Sequence, residues 1–429
     1  MLFVALVVFL PLVTAFNVAE HLANASPYHK APAVPNLKDT LPADCQVQQV
    51  SVLHRHGSRF PTKAKLSTIT NLVKKLASKV DVIKQAKLPA ELAFLKDGYT
   101  STLGTDDLTP PGRADMFEHG VSFRLKYPNL NADAILAGSE ARIVESAGWF
   151  GQGYFGSDWA TKSQLLRIVN ESDRVTPSYI SPINACPSWR NASLNGVNAD
   201  RAWSNIYLPQ VANRLNKLIP GLDLSTDEAL GAINACAYDL AANRTSPWCG
   251  VFEQSEIEGF EYENDLYFDG AFGYGLPGNM PLTLGALYVD ELVARLNDTS
   301  QNAHKMYLDF GHDTSITLAL AGFGLAKDAT DLTESTKEIK KDRRWRTSDQ
   351  VPFAAQMVWE KFTCTSSFTG PQIRLILNES PFPLVTCANM NKEYGTCSLE
   401  DFVKANAGAA ALKFGDSNWK SICGTPTSH

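Results

Sequence analysis

Two arginines and a histidine lie within five residues of one another, directly after a segment that predicts a β-strand. The strand-like segment covers residues 50–53; Arg55, His56 and Arg59 follow it, and Gly57 allows the backbone to turn. Two guanidinium groups in such a turn can bind the oxygens of a phosphate group, and the imidazole between them can attack the phosphorus atom. The segment therefore predicts phosphoryl transfer through a phosphohistidine. Taken alone, the same residues are equally compatible with surface charge and a structural histidine.

Two further polar groups follow apolar, strand-like segments. His312 and Asp313 come after residues 306–310, and Arg142 comes shortly after residues 134–137. Because α/β proteins bind ligands at the carboxyl ends of parallel strands, we expect these residues to lie together with the first group. Arg142 then predicts a third phosphate-binding cation and His312 a further donor. An exposed helix start is the alternative for Arg142.

Asp313 is the candidate general acid. A leaving alkoxide must be protonated as its bond to phosphorus breaks, and a carboxylic acid held protonated does this at acid pH. The resulting carboxylate can then activate the water that hydrolyses the phosphohistidine. Arginines supply the charge that Mg²⁺ supplies in kinases, so we predict no metal and no cofactor. Asp313 followed by Thr-Ser is also a good helix N-cap, and both roles are compatible.

Taken together, these motifs resemble the histidine acid phosphatase family. The resemblance extends from about residue 45 to about residue 423 and rests on Arg55-His56-Gly57-x-Arg59-x-Pro61, Arg142, His312-Asp313 and the helix start Leu108-Thr-Pro-Pro-Gly-Arg113. It implies a nucleophile, His56, and a general acid, Asp313. The implied phosphate-binding residues are Arg55, Arg59, Arg142 and His312.

The resemblance is to the secreted fungal phytase and acid phosphatase branch of that family. It implies a small phosphomonoester as substrate, with myo-inositol hexakisphosphate as the leading candidate. Lys63 and Lys65 closely follow the Arg-His-Gly segment and are candidates for the rim of the pocket, where they would bind further phosphates. A non-specific acid phosphatase is the main alternative. A catalytically silent phosphate-binding protein is less expected, because His56 and Asp313 are both present.

The first residues and the sequons predict a secreted glycoprotein, extracellular or associated with the cell wall. Residues 1–15 are almost wholly apolar and end in the small-residue pattern Val13-Thr-Ala15, which is typical of a signal peptide. Six Asn-x-Ser/Thr sequons predict glycosylation at Asn24, Asn170, Asn191, Asn243, Asn297 and Asn378.

The eight cysteines form an even set, which predicts four disulfides in an oxidising compartment. No Cys-x-x-Cys pair occurs, so zinc binding is not favoured. The sequence alone leaves the pairing open. The family resemblance implies the pairs Cys45–Cys364, Cys186–Cys423, Cys236–Cys249 and Cys387–Cys397.

The net charge of −6 over 429 residues argues against a nucleic-acid-binding protein or a protein that binds acidic membranes. It does not exclude an anionic substrate, because a local arginine cluster can hold a positive field inside an acidic protein. No segment after residue 15 is long and apolar enough to predict a membrane span. The oligomeric state stays open.

Alternating strand-like and helical segments between residues 46 and 150 predict an α/β protein whose mainly parallel sheet is flanked by helices. Residues 16–44 contain scattered prolines and predict an N-terminal arm. Between residues 155 and 280 the strand-like segments become rare, which predicts a smaller, mostly helical inserted domain. The α/β phosphatase domain would then consist of residues 45–154 and 281–429.

Overall fold

The computed structural model describes residues 16–174, 178–301 and 303–425. The predicted signal peptide, residues 1–15, lies outside the described residues. No helix in the described ranges is long and apolar enough to cross a membrane.

One sheet of eight strands organises the protein, in the spatial order β3-β2-β4-β1-β5-β6-β7, with β8 paired to β6. The strands are β1 (Cys45–Arg55), β2 (Ala132–Gly138), β3 (Leu166–Val169), β4 (Met306–Gly311), β5 (Gln356–Cys364), β6 (Gln372–Leu377), β7 (Ser380–Phe382) and β8 (Cys397–Ser398). The pairs among β1, β2, β3 and β4 are parallel, and all pairs that involve β5 to β8 are antiparallel. The predicted α/β class is confirmed, but the sheet is mixed. After β5 the connections between β5, β6 and β7 are too short for the crossovers that parallel strands need.

The described residues contain fourteen α-helices. They are α1 (Lys63–Ser78), α2 (Val80–Gln85), α3 (Pro110–Lys126), α4 (Ala141–Phe155), α5 (Trp159–Lys162), α6 (Trp189–Ala192), α7 (Leu194–Leu218), α8 (Thr226–Asn243), α9 (Gln254–Phe272), α10 (Met280–Asn297), α11 (Asp313–Gly322), α12 (Thr347–Gln350), α13 (Leu399–Ala410) and α14 (Ser417–Cys423). The helix start expected at Thr109 is present, since its hydroxyl accepts the N–H of Gly112 at 3.2 Å.

The two faces of the sheet are covered by different helices. Phe123 of α3 and Phe150 of α4 pack with Val52 in one apolar core. Leu292 of α10, Leu320 of α11 and Phe402 of α13 form another core against the residues of β5 and β6. The central strands are therefore covered on both sides, which explains why residues 49–55 of β1 are all buried.

A separate helical layer consists of α1, α7, α8 and α9 and has its own apolar core, which includes Leu72, Leu215, Ile233 and Phe260. Helices α7 to α9 fall in the segment predicted as an inserted helical domain. Strand β3 also falls in that segment, yet it pairs with β2. The sheet therefore includes residues after 155. The boundary that the sequence predicts between the α/β domain and the inserted domain lies before β3, the parallel strand at one edge of the sheet.

The four predicted disulfides are all present: Cys45–Cys364, Cys186–Cys423, Cys236–Cys249 and Cys387–Cys397. The first joins Cys45, the first residue of β1, to Cys364, the last residue of the neighbouring strand β5. The second connects residues 237 positions apart, so it links the middle of the chain to the last helix. Such links limit the freedom of the unfolded chain.

The N-terminal arm packs onto the folded body. It forms two short 3₁₀ helices, Val18–His21 and Ala23–Ala25. Leu22 and Ser26 are fully buried, and the carbonyl of Ser26 accepts the N–H of Phe353 at 2.9 Å. This contact brings the arm close to the carboxyl end of β1.

Strands β1, β2 and β4 are parallel, so their carboxyl ends meet at one edge of the sheet. Arg55 is paired with Gly311, and Ala137 is paired with Phe310. The residues that follow the three strands are those in which the sequence places its candidate site. The sheet topology therefore brings the three predicted groups together.

Candidate active site

A turn at the end of β1 carries the first group. The N–H of His56 donates to the carbonyl of Gly311 at 3.0 Å, and the His56 carbonyl accepts the N–H of Ala354 at 2.9 Å. The turn lies against the start of α3, where a Cβ on Gly57 would come within 2.5 Å of the Gly112 carbonyl oxygen. Only glycine fits there, which explains the tight Arg-His-Gly turn.

The His56 ring is 2% exposed and has one nitrogen fixed by the backbone. Its Nδ1 lies 2.9 Å from the carbonyl oxygen of Gly57. Because a carbonyl can only accept, the proton sits on Nδ1 and the lone pair is on Nε2. Burial, and then the charges of Arg55, Arg59, Arg142 and His312, lower the pKa of His56 well below 6.5. The imidazole is therefore neutral in mild acid, as a nucleophile must be.

Three arginines surround this ring. The Nη1 of Arg55 donates to the carbonyls of Asn24 and Val351 at 2.5 Å each, and its guanidinium lies 4.6 Å from the centre of the Phe353 ring. Arg59 Nη1 donates to the Phe60 carbonyl at 2.8 Å. Among the described residues, the buried Nε atoms of Arg55, Arg59 and Arg142 have no hydrogen-bond partner in the protein. Buried donors are rarely left unpaired, so these atoms point to an anionic ligand.

His312 follows β4, and its ring centre lies 6.0 Å from that of His56. Its Nε2 lies 2.6 Å from a carboxylate oxygen of Glu171. Arg142, in the first turn of α4, forms an ion pair with Glu140. The structure therefore brings His312 and Arg142 to the same edge of the sheet as His56.

Asp313 is the first residue of α11, and His312 occupies the N-cap position. The predicted helix start is therefore present, but the N-cap residue is His312 and not Asp313. Its Oδ2 lies 2.8 Å from Arg55 Nη2 and accepts the side-chain N–H of Asn24 at 2.9 Å. Burial raises the pKa of Asp313, but the charge of Arg55 and the hydrogen bond from Asn24 outweigh it and lower this pKa below 3.8. The expectation of a carboxylic acid held protonated does not apply to the ligand-free protein.

The two candidate rim lysines differ in their surroundings. Lys63 is exposed at the start of α1, whereas Lys65 is half-buried with its Nζ 5.9 Å from the centre of the Phe260 ring. Lys65 also interacts electrostatically with Asp200. Burial and the neighbouring Glu263 raise the pKa of Asp200 to about 8. Lys65 therefore has acidic neighbours of its own.

Glu140, Glu171 and His312 are the one group in the described ranges whose ligand atoms have the spacing of a metal site, within 4.8 Å of one another. The guanidinium of Arg142, paired with Glu140, adds a positive charge there that disfavours a cation. We interpret the group as ion pairs around the phosphate site. The absence of a metal requirement stays a prediction.

Two of the six predicted glycosylation sites do not fit the structure. Asn24 uses its side-chain nitrogen to donate to Asp313, and Asn378 is fully buried with its side-chain nitrogen 2.8 Å from the Asp349 carbonyl. A glycan on either nitrogen would displace these contacts. The remaining four are exposed: Asn170, Asn191, Asn243 and Asn297.

Several residues that contact the predicted site residues have no role in the site that the sequence predicts. They include Asn24 on the arm, Glu171 in the turn after β3, and Phe353, which lies under two arginines. Asn24 has a sequon pattern and Phe353 belongs to an apolar segment, so neither has a local signal for this role. Glu171 follows a strand, as the other site residues do, but β3 has four residues, one of them an arginine, so its sequence does not indicate a strand.

Comparison with known proteins agrees with this geometry. The model of the histidine phosphatase superfamily (branch 2) matches residues 46–378. An acid phosphatase of Schizosaccharomyces pombe is 29% identical, over 95% of this chain and 91% of that protein. Phytase A of Arthroderma benhamiae is 30% identical, over 88% of this chain and 87% of that protein. The crystal structure of the phytase from D. castellii has the same fold, with a TM-score of 0.83 at 22% identity, over 99% of this chain and 93% of that one. The chain belongs to the histidine phosphatase superfamily, branch 2, as the Arg-His-Gly turn and the distant His312-Asp313 pair indicate.

Proposed function

We propose that this protein hydrolyses phosphomonoesters in acid through a phosphohistidine formed on His56. The observation that carries the proposal is the state of the His56 ring. Its Nδ1 is bound to the Gly57 carbonyl, and burial and the surrounding cations lower its pKa well below 6.5. Nε2 therefore keeps its lone pair at a pH where an ordinary imidazole is protonated.

The surrounding cations fit the charge that develops during the transfer. As Nε2 attacks phosphorus, negative charge is spread over the oxygens that do not take part in bond breaking. The unpaired Nε donors of Arg55, Arg59 and Arg142 are fixed in place, so they stabilise this charge without reorganising. We assign His312 to the phosphoryl group as a further hydrogen-bond donor.

Asp313 protonates the leaving oxygen and afterwards takes a proton from the attacking water. In the ligand-free protein Arg55 holds Asp313 ionised. A bound phosphoryl group competes for the same guanidinium, which removes part of the interaction that lowers the Asp313 pKa. A monoester that binds as its monoanion also brings one proton into the site. Substrate binding thus prepares Asp313 as the acid.

For the substrate, we propose an inositol polyphosphate, with myo-inositol hexakisphosphate as the leading case. Relatives named phytase support this proposal, and so does the position of Lys63 and Lys65 on the helix that directly follows the Arg55–Arg59 turn. A broad-specificity acid phosphatase is the second candidate. It is supported by the relatives named acid phosphatase.

A secreted location is part of the proposal. Four disulfides indicate folding in an oxidising compartment, and four exposed sequons are available for glycosylation. A catalytically silent role is not favoured, because the predicted nucleophile and the predicted acid are both in place at the same edge of the sheet.

The test is a substrate panel with the wild-type protein between pH 3 and 7. We expect hydrolysis of p-nitrophenyl phosphate and inositol hexakisphosphate in acid, unchanged by EDTA. A kcat/KM that is highest for inositol hexakisphosphate supports the phytase assignment. Similar values for all monoesters would support the broad acid phosphatase. No turnover of any monoester, with inorganic phosphate still bound, would contradict the enzymatic proposal.

A further inference from the structure

A buried carboxylate, Glu171, lies beside the phosphate site in the turn that follows β3. Glu171 is 5% exposed. Its Oε1 lies 2.6 Å from Nε2 of His312, and its Oε2 accepts the N–H of Glu140 at 3.0 Å. Each carboxylate oxygen is thus bound to a different segment of the site.

The surroundings of Glu171 are built to hold it in one position. Its own N–H donates to the hydroxyl of Ser139 at 3.2 Å, and its carbonyl accepts the side-chain N–H of Asn184 at 2.6 Å. A Cβ on Gly138 would lie 2.6 Å from the Glu171 carboxyl group. Glycine at the end of β2 therefore provides the space that the carboxylate fills.

The two contacts of Glu171 matter because of what the bound segments carry. Glu140 is the N-cap residue of α4, and Arg142 lies in the first turn of that helix. His312 follows β4. One carboxylate thus connects the segment of Arg142 to the ring of His312.

We propose that Glu171 is a positioning residue that sets Arg142 and His312 on the same phosphoryl group. The proposal rests on the function proposed above. Because Glu171 binds the Nε2–H of His312, the ring orientation is fixed and Nδ1 is the nitrogen left for the substrate. When the ring also carries a proton on Nδ1, this nitrogen donates to a phosphoryl oxygen.

If Glu171 were only a carboxylate near the site, without a positioning role, its removal would have the opposite effect on phosphate binding from the one expected here. A negative charge near a bound phosphate repels it, so the removal of such a charge should strengthen binding. The removal of a positioning residue should weaken binding, because the donors lose their alignment. The sign of the change separates the two explanations.

The experiment compares Glu171→Ala and Glu171→Gln with the wild type, using the inhibition constant of inorganic phosphate and the kcat and KM for p-nitrophenyl phosphate. We expect Glu171→Ala to raise both the inhibition constant and KM by about 10- to 100-fold, the range for a lost hydrogen bond to a charged group. Glu171→Gln has nearly the same shape and keeps one acceptor oxygen, so it should lie in between. It also remains informative if the alanine variant does not fold.

Glu360→Gln is the matched control. Glu360 is also a buried carboxylate, 1% exposed and bound to Arg374 at 3.0 Å. It pairs with Val50, five residues before Arg55 on β1, which corresponds to roughly 17 Å along a strand. This variant should lose stability without any change in phosphate inhibition or KM.

A double-mutant cycle with His312→Ala shows how much of the weaker phosphate binding in Glu171→Ala depends on His312. The part of the Glu171→Ala loss that passes through His312 should disappear when His312 is already absent. We therefore expect the loss to fall at least threefold in that background. An unchanged or tighter inhibition by phosphate in folded Glu171 variants, or the same loss with and without His312, would overturn the proposal. An inactive wild type would instead contradict the proposed function.

Discussion

Two arginine clusters in this protein differ in how their charges are balanced. In the first, at the active site, Arg55 pairs with Asp313 and Arg142 pairs with Glu140. Arg59 has no carboxylate partner among the described residues, and the buried Nε atoms of all three arginines are unpaired there. In the second, Arg343 donates to Asp265 at 2.5 Å and to Glu261 at 2.6 Å. Arg346 adds a contact with Glu261 at 2.8 Å. The second cluster thus has a carboxylate for each arginine.

The difference separates binding from structural support. A buried ion pair whose donors are all satisfied holds segments together, here α9 and the segment that contains α12. An arginine cluster with unpaired buried donors is costly for the ligand-free protein, and an anion that binds those donors offsets the cost. The number of arginines is similar in both clusters, so the unpaired donors are the feature that indicates a phosphate site.

The largest expected effect comes from His56. His56→Ala should abolish turnover, a loss of at least about 10⁴-fold, because no other described side chain is placed to attack phosphorus. At pH 7 the thermal transition should remain close to that of the wild type. Measurement of kcat and of thermal unfolding checks both points. Residual turnover above a few per cent would mean that His56 is not the nucleophile.

The same variant should also change the pH dependence of stability. The folded protein holds the pKa of His56 well below 6.5, so below pH 6.5 the unfolded chain binds more protons at this residue. His56 therefore costs stability as the pH falls from about 6.5, by up to about 1.4 kcal/mol per pH unit. Urea unfolding at pH 7 and pH 5 should show that His56→Ala gains stability relative to the wild type at the lower pH. A difference independent of pH would mean that the ring is not held neutral.

Asp313→Asn should discriminate between leaving groups. A phenolate leaves with little help from a proton, whereas an alkoxide needs one. We expect a loss of about 10²- to 10⁴-fold for an alkyl phosphate and of less than about tenfold for an aryl phosphate. Steady-state kinetics on both esters measure this ratio. Equal losses would remove Asp313 from the role of general acid.

A pair of arginine substitutions tests the two clusters directly. Arg59→Met should lower kcat/KM by about 10²- to 10³-fold and change the free energy of unfolding by less than about 1 kcal/mol. Arg343→Met should lower the free energy of unfolding by about 3–5 kcal/mol, because it leaves buried carboxylates unpaired. The folded fraction of that variant should keep its kcat/KM within about threefold. If the two variants behave alike, the distinction between the clusters is wrong.

The smallest effect is expected at the rim. Replacement of Lys63 and Lys65 by Ala should raise KM for inositol hexakisphosphate several-fold, because each lysine contributes about 0.5–1 kcal/mol to the binding of that substrate. The KM for an aryl phosphate should stay unchanged. Added salt should reduce the difference. Lys74→Ala, about 16 Å further along α1, is the control. An equal response of both substrates would favour the broad acid phosphatase.

The contiguous parts of the site could be predicted from the sequence. Arg55, His56 and Arg59 lie within one turn, and the strands before them and before His312 are recognisable from their apolar residues. The topology then requires their carboxyl ends to meet. The disulfide pairs were available only through the family resemblance, since cysteine spacing does not determine pairing.

The contacts that depend on distant segments could not be predicted. The basic segment around Arg343 and Arg346 is typical of a solvated surface, yet its partner Glu261 lies more than 80 positions away and makes it a buried network. Asn24 has the pattern of a glycosylation site, but the folded arm directs it to Asp313. The lowered pKa of Asp313 could not be predicted for the same reason, because Arg55 and Asn24 lie beside it only in the folded protein.

Trapping of the covalent intermediate tests the central claim most directly. The wild type and Asp313→Asn are mixed with a ³²P-labelled aryl phosphate and denatured within milliseconds in alkali, because the P–N bond of phosphohistidine hydrolyses in acid. Peptide mapping should place the label on His56 at Nε2, with more label in Asp313→Asn because attack by water is slowed, and none in His56→Ala. Label on a different residue, or turnover without a labelled intermediate, would contradict the account.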